Sequence, residues 1–281
     1  MSLDMKLTPP NVDTPQILSS TPHNIFLIGD PLFKIKAIED AVQAALTGQS
    51  LTIPSTPARE AAVSIPPSQH PPKKGFASAE GRARLLHDLA NIELQAMELG
   101  LRTLFEFPEA PEGLRRDLAD LTISESRHLQ MCLEAIEDLG FSWGHWPIHL
   151  GLWEAVSDKD TLVDRMFIVH RYLEGSGLDA QDTMLRRLEG IDDRRTLAVL
   201  KQIHREEVDH VYFGTKWHLQ LCQDQTRTRA QDLRDRLQRL RTQLPRRLQP
   251  ICHRWRLQAG FSPEELEVLE EFRQSCLAPL V

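Results

Sequence analysis

The sequence predicts an all-α protein built on a four-helix bundle with a long crossover, and three observations predict it. Between residues 78 and 222, apolar side chains recur at helical spacing in runs too long for strands. The breaks between these runs are short, except for one long connection over residues 141–158. A Glu-x-x-His pattern also occurs twice, as Glu125/His128 and Glu207/His210, each preceded on the previous helix by a further glutamate, Glu93 and Glu174. The flanks read differently. Residues 1–77 form a Pro-rich N-terminal arm with one short helix, and residues 78–224 form the bundle. Residues 225–281 form an Arg-rich extension of extra C-terminal helices packed on it.

In the arm, Phe33, Ile35, Ala37, Ile38, Val42, Ala45 and Leu46 have helical spacing, so a short helix is expected over Leu32–Leu46. The prolines that follow suit an extended segment wrapped on the body, or a disordered tail. The first bundle helix runs from Ala79 to Phe105, with a stripe through Leu86, Leu89, Ala90, Met97, Leu101 and Leu104. Pro108 and Pro111 separate it from the second, Leu114–Leu139, which Gly140 stops. The third begins at Thr161, is expected to break at Gly175-Ser176-Gly177, and resumes to Leu188; the fourth spans Arg194–Cys222. Further on, Leu233, Leu237, Leu240 and Leu244 make an apolar seam. The last helix, from Pro263 to Phe272, opens on Ser262 and Glu265 as a capping box.

Composition narrows the function classes. With 41% hydrophobic and 26% charged residues, the chain is globular rather than disordered. A net charge of −7 argues against a nucleic-acid binder that uses its whole surface. Cys132, Cys222, Cys252 and Cys276 form no Cys-x-x-Cys pair, which excludes a zinc ribbon or a thioredoxin-type motif. No apolar run is long enough to span a bilayer, and the N-terminus lacks a signal-peptide core, so no membrane role and a cytoplasmic setting are expected.

The chemistry lies in the repeated pattern. Three residues is about 300° of helical rotation, so Glu and His of each pair leave one face a turn apart. One such pair means little. Here Glu93 lies 32 residues before Glu125, and Glu174 lies 33 before Glu207, which repeats one helical hairpin twice. Glu93 sits among Leu89, Ala90, Ala96 and Met97, and a carboxylate buried on such a face must be paired, protonated or bound to metal. Four carboxylates and two imidazoles suit two divalent first-row metal ions, and do not suit structural zinc. The alternative is a bundle with satisfied polar core residues. His170 and Arg171, one turn before Glu174, are expected as its neighbours, and either could simply pair with it. His204, one turn before Glu207, is a hydrogen-bonding neighbour or a seventh ligand.

The order Glu93, Glu125-x-x-His128, Glu174, Glu207-x-x-His210 resembles the ferritin-like di-iron carboxylate superfamily. The wider text is similar to an uncharacterised bacterial ferritin-like family of unknown function. Asn91–Glu98, His149–Trp153, Leu173–Asp179, His210–Trp217 and Gln258–Ser262 carry that resemblance, which covers roughly residues 75–260. The chain departs from it at Gly175-Ser176, where bulkier residues are expected, and at His145, where an acid is expected.

The resemblance implies a ferritin-like bundle and two metal ions, iron or a manganese/iron pair. It also implies O₂-dependent oxidation or hydroxylation of an organic substrate, with an electron donor. A non-enzymatic iron-handling protein is the alternative. Trp143, Trp146, His149 and Trp153 would line or lid a pocket, or else cover the bundle end. Ten arginines and two aspartates between Thr226 and Arg256 give a local balance of +8, which a tRNA substrate or neighbouring acids could meet. A monomer or homodimer is expected.

Overall fold

The computed structural model describes residues 24–222, 226–246 and 249–277, so the start of the Pro-rich arm lies outside the described residues. The helices are α1 (Pro31–Leu46), α2 (Ala79–Glu106), α3 (Glu112–Asp138), α4 (Leu162–Met166), α5 (Gly175–Arg187) and α6 (Arg194–Leu221). A C-terminal set follows: α7 (Arg229–Arg239), α8 (His253–Gln258) and α9 (Pro263–Leu277). Among the described residues there is no strand, only a single parallel bridge from Ser64 to Ile148 that ties the arm to the crossover. The fold is all-α, as the periodicity predicts.

Two antiparallel hairpins make the bundle. In the first, Gly100 of α2 abuts Thr122 of α3. Seven residues back on α2 and six onward on α3, Glu93 meets His128. In the second hairpin, a Cβ on Gly214 of α6 would lie 2.4 Å from the His170 Cβ, so this glycine lets α6 close directly on the histidine. Three residues back and four onward, Phe167 packs on His218, which keeps the same antiparallel register.

The third helix does not break at Gly175, contrary to the sequence expectation. Between α4 and α5 lies a π-helical segment, Phe167–Glu174, and α5 continues from it without a gap. Gly175 has another task. A Cβ there would sit 1.9 Å from Arg256 Nη1, so the missing side chain admits the guanidinium of α8. Arg256 is fully buried, holds Asp179 at 3.0 Å and donates to the Arg171 carbonyl at 2.9 Å. A π turn shifts the backbone ladder and calls for outside donors at its end.

The described part of the arm packs on the bundle. Lys34 of α1 and Arg59 of the extended segment both bond the buried carboxylate of Glu98 on α2. The Ser78 cap of α2 and the Ser262/Glu265 capping box of α9 form as the sequence indicates. Leu233, Leu237, Leu240 and Leu244 are all buried.

The crossover residues find their partners on the arm and on α2. Trp143 stacks on His87, and Trp146 meets the same ring edge-on. The His149 carbonyl accepts from Asn91 and Gln95. Trp153 lies against Phe26, beneath the Arg102 guanidinium, and its indole donates to the Ser55 carbonyl. These partners lie on the arm and on faces of α2 turned away from Glu93, by about 200° for Asn91 and Gln95 and about 120° for His87. The tryptophans cover the outside of the first hairpin.

Candidate metal centre

Six predicted ligand residues are buried in the bundle interior: Glu93, Glu125, His128, Glu174, Glu207 and His210. Nδ1 of His128 lies 3.4 Å from Glu93, 3.3 Å from Glu125 and 3.4 Å from Glu207. Nδ1 of His210 lies 2.9 Å from Glu125 and 3.3 Å from Glu207. Glu125 and Glu207 therefore touch both imidazoles and form the middle of the cluster. One atom from each of Glu125, His128, Glu207 and His210 falls within 4.8 Å of all the others, a set that can hold a metal ion. Glu93 stands beside His128. Glu174, from the π segment, lies near enough to Glu125 and Glu207 to feel their charges.

Short distances alone do not make hydrogen bonds. Both oxygens of Glu125 and the Nδ1 atoms of His128 and His210 have no hydrogen-bond partner, despite their mutual approach. The reason for His128 is its other nitrogen. Nε2 lies 2.9 Å from Glu206, and an ionised carboxylate can only accept, so the ring proton belongs on Nε2. Nδ1 is then a lone pair facing three carboxylates. Acceptors that converge on acceptors need a cation between them, and this arrangement of atoms fits a metal ion.

With no cation at that point, the same carboxylates would draw a second proton onto each ring. Burial opposes a charged His128, yet Glu125, Glu207 and Glu93 outweigh it and push the ring far above its usual range. His210 is raised likewise, with burial overcome by Glu125 and Glu207. Burial also acts on Glu125, but His210 and His128 hold its carboxyl well below the usual range. Glu93 and Glu174 are pushed upward, by burial first and then by the charges of Glu125 and Glu207. A cluster of four carboxylates that drags both imidazoles upward has a deficit of positive charge.

The predicted surrounding residues divide. His170 does support the cluster, since its Nδ1 lies 2.7 Å from Glu174. Arg171 does not. One residue further round, it leaves the other face, bonds Glu265 at 2.6 Å and stacks on Phe261. His204 meets the edge of Trp255, with ring centroids 4.8 Å apart, lies near enough to Glu207 to feel its charge, and has neither ring nitrogen hydrogen-bonded. Sequence reasoning missed Glu206. Its signal was available, because a carboxylate next to Glu207 but facing outward can reach a histidine on the adjacent helix.

No solved structure matches this chain. An uncharacterized protein of Haemophilus influenzae (strain ATCC 51907 / DSM 11121 / KW20 / Rd) is 32% identical over 212 residues, 73% of each chain. The model of the family described as protein of unknown function (DUF455) matches residues 28–267, which span both hairpins and most of the C-terminal helices. The chain belongs to the DUF455 family.

Proposed function

We propose that the cluster holds two divalent metal ions, iron or manganese, and that the protein is an O₂-dependent oxidoreductase acting on a small organic molecule. The observation that carries this reading is the convergence of Glu125, His128, Glu207 and His210, with both Glu125 oxygens and the Nδ1 atoms of both imidazoles unpaired. Glu125 and Glu207, which touch both imidazoles, would be shared between the ions. Glu93 and His128 would complete one side, and Glu174 and His210 the other. Four carboxylates balance two divalent charges, and oxygen-rich donors with imidazole suit iron and manganese over thiolate-seeking metals. Such a pair, when bound, supplies electrons to O₂ and directs the oxidation of a substrate.

The chain's own residues perform the rest. Burial of all six side chains excludes bulk water. Glu206 fixes the His128 ring, and His170 holds one oxygen of Glu174 at a site where the π segment widens the helix. The arginines favour a small substrate over a tRNA base. Arg227, Arg229, Arg234, Arg236, Arg239 and Arg256 are each committed to an acidic partner in the structure.

The test is elemental analysis of protein loaded anaerobically with Fe(II), beside a Glu125→Ala/His210→Ala variant. About two metal ions per chain, lost in the variant, and O₂ uptake by the loaded protein are expected. Metal-free protein whose thermal stability ignores Fe(II) would sink the reading. Iron bound and oxidised with no response to any organic substrate would leave iron handling in its place.

A further inference from the structure

We infer that a second site, separate from the Glu/His cluster, binds a small oxyanionic molecule bearing a phosphate or carboxylate group. It is a cavity of about 660 Å³ between α4, the C-terminal turns of α6, α7 and the start of α9. That size is ordinary for a metabolite. Among the described residues, its lining holds five arginines against three carboxylates.

The charge cancels only in part: Arg227 pairs with Asp235, and the other four arginines share the three lining carboxylates. Glu265 accepts from both Arg171 and Arg229, at 2.6 and 2.7 Å. Asp164 accepts from both Arg236 and Arg239. Glu265 thus fixes two guanidiniums on one wall; on the other, Asp164 fixes two and Asp232 also bonds Arg236, at 2.9 and 3.0 Å, which orients the remaining N–H groups of each fork. Arg anchored in this way has already lost its rotamer freedom before an anion arrives.

Two deeply buried groups at the cavity have unused nitrogens. Arg171 is 1% exposed and its Nε–H has no partner. His218 is 1% exposed, bonds Asp232 through Nε2 at 2.9 Å and leaves Nδ1 without a partner. Buried polar atoms without partners are uncommon and signal a missing one. An oxyanion at the cavity floor can accept from Arg171, and a hydroxyl beside it can donate to the His218 nitrogen. Cys222 stands at the same cavity, half-buried.

The test is calorimetric titration of the full chain with inorganic phosphate and, separately, with succinate, at constant ionic strength set with chloride. Arg229→Gln and Arg239→Gln alter partly exposed groups, so both variants are expected to fold, which circular dichroism checks. Saturable binding of either anion, weakened about tenfold or more in both variants, is the expected result. Bound anion is also expected to slow alkylation of Cys222, read by peptide mass spectrometry, while Cys252 reacts unchanged. The preferred anion identifies the headgroup. Binding that chloride alone reproduces, binding untouched in both folded variants, or binding of tRNA without either small anion would overturn the inference. None of these readouts involves metal, so they fail or succeed independently of the proposed metal centre.

Discussion

Glu206 on α6 accepts the Nε2 proton of His128 on α3 at 2.9 Å, and Gln202, one turn earlier on α6, donates to the other oxygen of the same carboxylate. The chain Gln202–Glu206–His128 therefore runs from the surface to the cluster and decides which imidazole nitrogen faces it. Removing Glu206 leaves every predicted ligand in place and frees the ring to turn or to change tautomer. Glu206→Ala is expected to weaken metal binding about 10- to 100-fold while leaving the fold intact. Competition with a chelator, followed by metal analysis, measures it. Unchanged affinity would mean that the ring is fixed by packing alone.

Gly175 offers a test by sign. On an exposed helix, Gly→Ala stabilises by about 1 kcal/mol. Here the added methyl meets the Arg256 guanidinium, which cannot step aside because Asp179 and the Arg171 carbonyl hold it in a fully buried position. Gly175→Ala is expected to destabilise by about 1–3 kcal/mol in urea unfolding. Stabilisation instead would show that α8 does not pack where the structure places it.

The arm is tied down by charge. Lys34 and Arg59 share Glu98, and all three lie out of water. Burial lowers the Lys34 pKa, and Glu98 opposes that shift. Glu98→Ala leaves two cations buried without their acid, which is expected to cost about 3–5 kcal/mol. Limited proteolysis should then cut between α1 and α2 well before the bundle, whereas wild-type protein resists. Equal resistance in both would assign arm docking to the apolar contacts of Ile25, Phe26 and Val42.

What the sequence reveals and what it hides follow from the range of each interaction. Glu125 with His128, and Glu207 with His210, were legible because an i,i+3 spacing fixes a shared face whatever the helix packs against. Glu93 was legible because a carboxylate among leucines needs a reason. The π segment was not, since Phe167–Glu174 contains ordinary helix formers and its winding is completed by Arg256, more than 80 residues later. The arginine-rich stretch reads as a +8 patch only along the chain. Asp164 and Glu265 approach Arg236 and Arg229 from outside the stretch, so the charge that looks free in sequence is largely committed in space. Arg171 failed as a neighbour of the cluster for a related reason. Helical phase tells which residues share a face, not which of two flanking elements that face meets.

His87 makes the crossover sensitive to acid. The ring accepts the Gly144 N–H at Nε2, stacks on Trp143 and meets Trp146 edge-on, so the structure needs the neutral form. Burial lowers its pKa from 6.5 to about 4; Asp88 works against that, while Arg84, His145 and His70 add to it. Because the folded value lies below the unfolded one, the stability from neutral His87 is complete above pH 6.5. It is lost as pH falls toward 4. The whole loss is about 3 kcal/mol, of which about 2 kcal/mol has gone by pH 5. Unfolding free energies at pH 8 and pH 5 for the wild type and for His87→Gln isolate this contribution from that of the carboxylates. The variant should lose about 2 kcal/mol less than the wild type over that interval. Parallel losses in the two proteins would show that the acid sensitivity of the crossover resides elsewhere, in His149 or in the ion pairs of the arm.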